Sequence, residues 1–174
     1  MSQALILIDL QRDFGAPDGA MAQQGHDITA AQIAVERAQA LAASAREADV
    51  PVIFVRLVSD ELCVEGTPGA DFIGPQPRTG EAILTKSRYS AFTGTGLAAH
   101  LRDRGIGTVV LAGLTTECCI QSSSWAAFEE GFQLVIATDA CAAYDYELHR
   151  AALESLKLSG AGLVDSATIA AGWK

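Results

Sequence analysis

Three residues far apart in the chain, Asp9, Lys86 and Cys119, are of the types that together perform acyl transfer to sulfur. A free thiol is a weak nucleophile because little of it is ionised at neutral pH. A helix N-terminus favours the thiolate, and so does a nearby ammonium group. Cys119 is expected to have both, from the helix it opens and from Lys86. Asp9 could accept the thiol proton and later hand it to a leaving amine. The bend at Gly113, Leu114 and Thr115 could aim the backbone N–H groups of Thr115 and Cys119 at a developing oxyanion. The chemistry predicted is attack on an amide carbonyl, loss of an amine or ammonia, and hydrolysis of the thioester by water.

These residues can meet only if the fold brings them together. Short apolar runs alternate with segments of helical period, the pattern of a parallel sheet with crossover helices. Strands are predicted over 4–8, 51–55, 82–85, 108–112, 133–138 and 161–164. Helices are predicted from residue 29 and over 97–104, 116–130 and 146–158. Thr29 and Gln32 form a capping-box pattern at the start of the first of these. Two irregular loops, 12–27 and 59–78, separate the early elements; the second is rich in Gly and Pro, and long loops in compact domains are often functional. The expectation is one domain over 1–174, an α/β fold with a mostly parallel six-stranded sheet. In such sheets ligands bind beyond the carboxyl ends of the strands. Asp9 ends the first predicted strand and Lys86 the third. Cys119 follows the fourth by one turn. The architecture therefore places all three on one edge.

Composition narrows the partners. Of 174 residues 49% are apolar and 19% charged, which suits a packed core rather than disorder. A net charge of −9 argues against nucleic acid or an anionic membrane as partner, while a local basic pocket for a small acid stays open. The run after Met1 has no basic lead-in, and Asp9 interrupts it too early for a signal peptide or a membrane helix. Cys63, Cys118, Cys119 and Cys141 have no metal-ligand spacing, and adjacent cysteines rarely bridge each other. A reduced, cytoplasmic protein without a metal is expected.

Three stretches resemble the signatures of one family, the isochorismatase-like cysteine hydrolases. They are Leu7-Ile8-Asp9-Leu10-Gln11-Arg12-Asp13-Phe14, Thr85-Lys86-Ser87-Arg88-Tyr89-Ser90-Ala91-Phe92, and Ala112-Gly113-Leu114-Thr115-Thr116-Glu117-Cys118-Cys119-Ile120. They occur in order along nearly the whole chain, and Gly131 and the Thr138-Asp139-Ala140 segment fit as well. The family includes nicotinamidases, N-carbamoylsarcosine amidases, and ureidoacrylate and maleamate amidohydrolases. The resemblance implies a three-layer α-β-α fold, an Asp–Lys–Cys triad, a cis peptide between Leu114 and Thr115, no cofactor, and a homo-oligomer, dimer or tetramer. It selects Cys119 over Cys118, because an aliphatic residue, Ile120, follows Cys119. Cys119 itself argues against vinyl-ether hydrolysis, since family members of that activity typically lack the cysteine. The Asp-x-His metal site of many nicotinamidases is missing from 56–61, which disfavours a metal-assisted nicotinamidase but leaves a metal-independent one.

Further candidates are less specific. Phe14, Tyr89, Phe92 and Trp125 are expected to wall the substrate pocket, with core or subunit packing as the alternative. Arg56 and Arg88 are candidate partners for a substrate carboxylate, with plain surface positions as the alternative. His26, His100 and His149 are read as surface or helix residues, and Cys63 and Cys141 as structural. Gly94-Thr95-Gly96-Leu97-Ala98-Ala99 mimics a dinucleotide fingerprint but does not follow the first strand of a βαβ unit. Two rivals to the hydrolase are a redox protein using Cys118 and Cys119, and a non-catalytic ligand-binding member of the fold. Replacing Cys118 with Ala separates the first rival. The hydrolase is expected to keep most of its turnover, whereas a dithiol enzyme would lose it.

Overall fold

A computed structural model describes residues 2–173. Six strands form its sheet: β1 (Ser2–Ile8), β2 (Val52–Leu57), β3 (Ala82–Lys86), β4 (Ile106–Leu114), β5 (Gln133–Ala142) and β6 (Gly162–Val164). They lie in the order β3-β2-β1-β4-β5-β6, and every pairing is parallel. The chain steps outward from β1 through β2 to β3, then returns to the far side of β1 to lay down β4. The crevice between β1 and β4 is thus a switch point, the place where open parallel sheets hold their ligands.

Side-chain alternation splits the core in two. Leu5 and Leu7 of β1 face one side with Phe54, Val110 and Ala112. Ala4, Ile6 and Ile8 face the other with Ile53, Val55 and Leu111. This is the two-residue period of a strand buried on both faces. The first face is covered by α3 (Thr29–Glu47), whose Ala31, Ala34, Ala38, Leu41 and Ala45 form its buried stripe, and by α7 (Ser166–Trp173). The second face is covered by α4 (Leu97–Arg102), α5 (Gln121–Glu129) and α6 (Tyr146–Leu158), which contribute Leu97, Leu101, Ala127 and Leu156. Each large aliphatic side chain so buried stabilises the fold by about 1.5–3 kcal/mol. The result is the expected three-layer arrangement, with a sheet that is parallel throughout.

Several boundaries differ from the sequence reading. Short helices α1 (Arg12–Gly15) and α2 (Ala20–Gln23) occupy the first loop, and a 3₁₀ turn, Pro68–Ala70, the second. Thr29 does not cap α3: the N-cap is Ile28, which makes no side-chain cap, and the Thr29 N–H donates to Asp27 Oδ1 at 2.9 Å. The segment after β4 starts as a π-helical turn, Thr116–Ile120, before α5. Strand β5 runs on to Ala142 because it bulges: Leu111 pairs with Ile136, but Gly113 pairs with Cys141. Asp139 in that bulge accepts from the backbone N–H and hydroxyl of Ser166, both at 2.7 Å. That contact holds the start of α7, a helix with no amphipathic pattern to announce it. Its far end is tied by Trp173 Nε1, which donates to Gln3 Oε1 at 2.9 Å.

Gly113 is required where it stands. Its φ is 138°, and a Cβ there would fall 1.9 Å from the carbonyl oxygen of Ile8. The close approach of β4 to the end of β1 therefore depends on a missing side chain. Gly113→Ala is expected to lower unfolding stability in urea by about 2 kcal/mol or more, and an unchanged denaturation midpoint would refute this account of the β1–β4 crevice.

Candidate active site

At the carboxyl end of β1, Asp9 adopts a left-handed φ of 54°. Its N–H still bonds to Val55 O (2.9 Å), and Gln11 N–H closes a tight turn onto its carbonyl (2.8 Å). The side chain is thereby aimed across the sheet edge rather than along the strand. Lys86 ends β3, with Leu57 as its register partner on β2. Cys119 sits in the π turn beyond β4. All three side chains are buried; Asp9 is 0% exposed and Lys86 2%.

They converge on one nitrogen. Lys86 Nζ lies 2.7 Å from Asp9 Oδ2 and 3.3 Å from Cys119 Sγ, and donates to the backbone carbonyl of Arg88 at 3.0 Å. The ammonium thus hydrogen-bonds the sulfur and the Arg88 carbonyl and meets the carboxylate as an ion pair. Burial pushes the Asp9 carboxyl up, with Lys86 opposing. Burial alone would push Lys86 down, but the Asp9 carboxylate and the Cys119 sulfur outweigh it and hold the ammonium above its ordinary range. Burial pushes the Cys119 thiol up, Asp9 adds to this, and Lys86 only partly offsets both. Burial and the Asp9 carboxylate thus favour the thiol, against the pull of the ammonium toward the thiolate, and no regular α-helical first turn surrounds Cys119.

Four residues to which the sequence reading assigned no role hold this arrangement. Gln11, fully buried, donates from Nε2 to Leu57 O (2.9 Å) and Ala70 O (3.0 Å) and accepts at Oε1 from Leu57 N–H (2.8 Å). It locks the ends of β1 and β2 to the 59–78 loop. Asp13 accepts from Cys63 N–H at 2.7 Å and Ala20 N–H at 3.2 Å, fastening that loop to α2. Ser123 donates to Cys119 O (2.6 Å) and accepts from Ala91 N–H (2.8 Å), tying the cysteine turn to the segment that follows Lys86. Tyr144 donates to Phe14 O at 2.7 Å and stacks on His26. Gln11 and Asp13 belong to the first signature stretch. Ser123 and Tyr144 carried no local signal, because their partners lie far away in sequence.

A cavity of about 380 Å³ opens onto the sulfur. Phe14, Met21, Leu57, Leu62, Tyr89 and Tyr144 give it largely apolar walls; Thr115, Cys118 and Cys119 form its floor, and Ser59, Ser87 and Arg88 its remaining polar edge. Two expected wall residues are elsewhere. Phe92 packs on Phe132 in the core layer beneath α4 and α5. Trp125 is 41% exposed and leans on Phe128, because its place on α5 points it away from the sheet edge. Arg56 is also outside, paired with Glu65 at 2.8 Å and bonded to Thr85 Oγ1. The peptide between Leu114 and Thr115 is cis, and Thr115 Oγ1 donates to Glu117 Oε1 at 3.0 Å. His149, on α6, is half-buried and bonds Thr116 Oγ1 through Nδ1 at 2.8 Å. Among the described residues no group of three His, Cys, Asp or Glu side chains could hold a metal ion.

Comparison with known proteins points to one family. Residues 3–168 match the family model described as the isochorismatase domain. Ureidoacrylate amidohydrolase RutB of Methylobacterium radiotolerans is 29% identical over 188 residues, covering 88% of this chain and 72% of that protein. An isochorismatase-like hydrolase from Alkaliphilus metalliredigens superposes with a TM-score of 0.91 at 25% identity, over 100% of both chains. Nicotinamidase PncA from Bacillus subtilis superposes with a TM-score of 0.84 at 30% identity, over 95% of this chain and 100% of that one.

The raised thiol has a measurable consequence. In the Cys118→Ala variant, alkylation of Cys119 by iodoacetamide at pH 7 is expected to be slower than that of a free cysteine. The rate should still be climbing above pH 9, the ordinary value for a thiol, because the thiolate is the reactive form. A rate at pH 7 exceeding that of the free amino acid would overturn the protonated resting state.

Proposed function

Since this chain belongs to the isochorismatase family, we propose that it hydrolyses the carbon–nitrogen bond of a small non-peptide amide or ureido compound, with Asp9, Lys86 and Cys119 as its catalytic set. The observation that carries this reading is the Lys86 ammonium held between a buried carboxylate and a buried sulfur, 2.7 Å from one and 3.3 Å from the other.

The steps follow from the protonation states. Asp9 accepts the Cys119 proton as Sγ forms its bond to the substrate carbonyl carbon. The carbonyl oxygen becomes an oxyanion, and the backbone N–H groups of Thr115 and Cys119 stabilise it. The C–N bond then breaks, and Asp9 returns its proton to the leaving nitrogen, leaving an acyl group on sulfur. Water attacks this thioester, Asp9 takes the water proton, and the carboxylic acid departs as the thiol is restored. Lys86 stays cationic throughout. It opposes the neutralising effect of burial on Asp9, and it steadies negative charge on sulfur during attack.

A cavity of about 380 Å³ is near the lower end for ligand sites, which supports a small substrate. The aromatic and aliphatic walls suit a flat or apolar body. The four cysteines are unpaired thiols, which supports a reducing compartment such as the cytoplasm. Exposed Trp125, Tyr146 and Leu148 offer apolar surface for the homo-oligomer that belongs to this reading. No described helix is long and apolar enough to cross a membrane.

The test is an ammonia-release screen over ureido acids, carbamoyl acids, maleamate and nicotinamide, with Cys119→Ser as the blank. At least one amide is expected to be turned over, and Cys119→Ala and Asp9→Asn are each expected to lower kcat by about 10³-fold or more. A rapid quench should capture an acyl adduct on Cys119 by mass spectrometry. Hydrolysis that survives Cys119→Ala would overturn the mechanism.

A further inference from the structure

The charge lining the cavity is one-sided. Of the residues that wall it, only Lys86 and Arg88 are charged, and no carboxylate lines it. This is unusual for a chain whose net charge is −9. Lys86 is committed, since it is ion-paired to Asp9 and donates to Cys119 and the Arg88 carbonyl. The Arg88 side chain is not. Arg12, Arg46, Arg56, Arg102 and Arg150 each face a carboxylate, whereas among the described residues no ion pair or side-chain hydrogen bond holds the Arg88 guanidinium. Its backbone, in contrast, is anchored: the Arg88 carbonyl accepts from the catalytic lysine at 3.0 Å, and Ala91 is tied to the cysteine turn through Ser123. A free, permanently charged fork is thus carried on a fixed stretch of backbone at the edge of an apolar cavity.

We infer that the substrate is an acidic amide, with a carboxylate at the end away from the scissile bond, and that Arg88 binds this carboxylate and sets the specificity. A guanidinium presents paired N–H donors that match a carboxylate in two parallel hydrogen bonds. Arg56, the other candidate, is engaged by Glu65 and Thr85 and lies outside the cavity walls. The apolar walls contribute to the body of the substrate without distinguishing its charge. The summed field of an acidic protein repels small anions from solution, so this local cation is what permits an acid to enter. The inference rests on the amidase reading and deepens it by naming the substrate class.

Binding and turnover test it separately. In the Cys119→Ser protein, calorimetry would measure the Kd of two matched pairs: 3-carbamoylbenzoate against benzamide, and maleamate against (Z)-but-2-enamide. The acid of each pair is expected to bind at least about tenfold more tightly, with the advantage shrinking as salt is raised. Arg88→Gln should abolish the advantage, Arg88→Lys should retain part of it, and Arg56→Gln should leave it intact. Equal affinities, no measurable binding of either member, or an advantage that survives Arg88→Gln would each overturn the inference. Ammonia release by the unmodified enzyme then separates the two claims. Turnover without preference for the acid sinks only the role of Arg88. Acids that bind through Arg88 but are never hydrolysed sink the amidase reading instead.

Discussion

The structure depends on one buried ammonium group shared between a carboxylate and a sulfur. Burying Asp9 or Lys86 alone would cost several kcal/mol in lost hydration. Paired with each other, they are tolerated in a layer with almost no solvent contact. The same arrangement favours a thiol beside a carboxylate over a thiolate beside a cation. In the proposed mechanism the sulfur becomes nucleophilic as a proton moves to Asp9, so activation is coupled to attack on a bound substrate.

The fold delivers these three groups through its switch point. Strand β1 carries Asp9 and neighbouring β4 leads to Cys119, while β3, two positions away, supplies Lys86. The lysine is long enough to reach back over the end of β2 to the crevice. What keeps the reach fixed is a set of polar clamps at the sheet edge. Gln11 bonds both the N–H and the carbonyl of Leu57, Asp13 fastens the long loop, and Ser123 links the cysteine turn to the Lys86 segment. Each of these bonds spans two elements, so the site is tied to the strands beneath it.

The cavity above has a different character. Its walls are largely apolar, and among the described residues that line it the one uncommitted charge is the Arg88 guanidinium. Position and chemistry are thus divided: the sheet edge places the reacting groups, and the loops determine what can lie against them.

The amino-acid sequence by itself was enough for the parallel architecture, the six strands and the meeting of Asp9, Lys86 and Cys119 at one sheet edge. Apolar runs and helical periods are local signals, and the strand-end rule converts them into a common edge. It was not enough for the protonation state of Cys119, the cap of α3, the helix α7, or the roles of Ser123 and Tyr144. Nor could it separate Arg88 from Arg56, or Phe14 and Tyr89 from Phe92 and Trp125. Those outcomes depend on which side chains share a small volume after the chain has folded, and on how much water is excluded there. Burial shifts proton affinities and unpaired charge stays available only in relation to neighbours, and those neighbours are assembled by tertiary packing from residues that have no proximity along the chain.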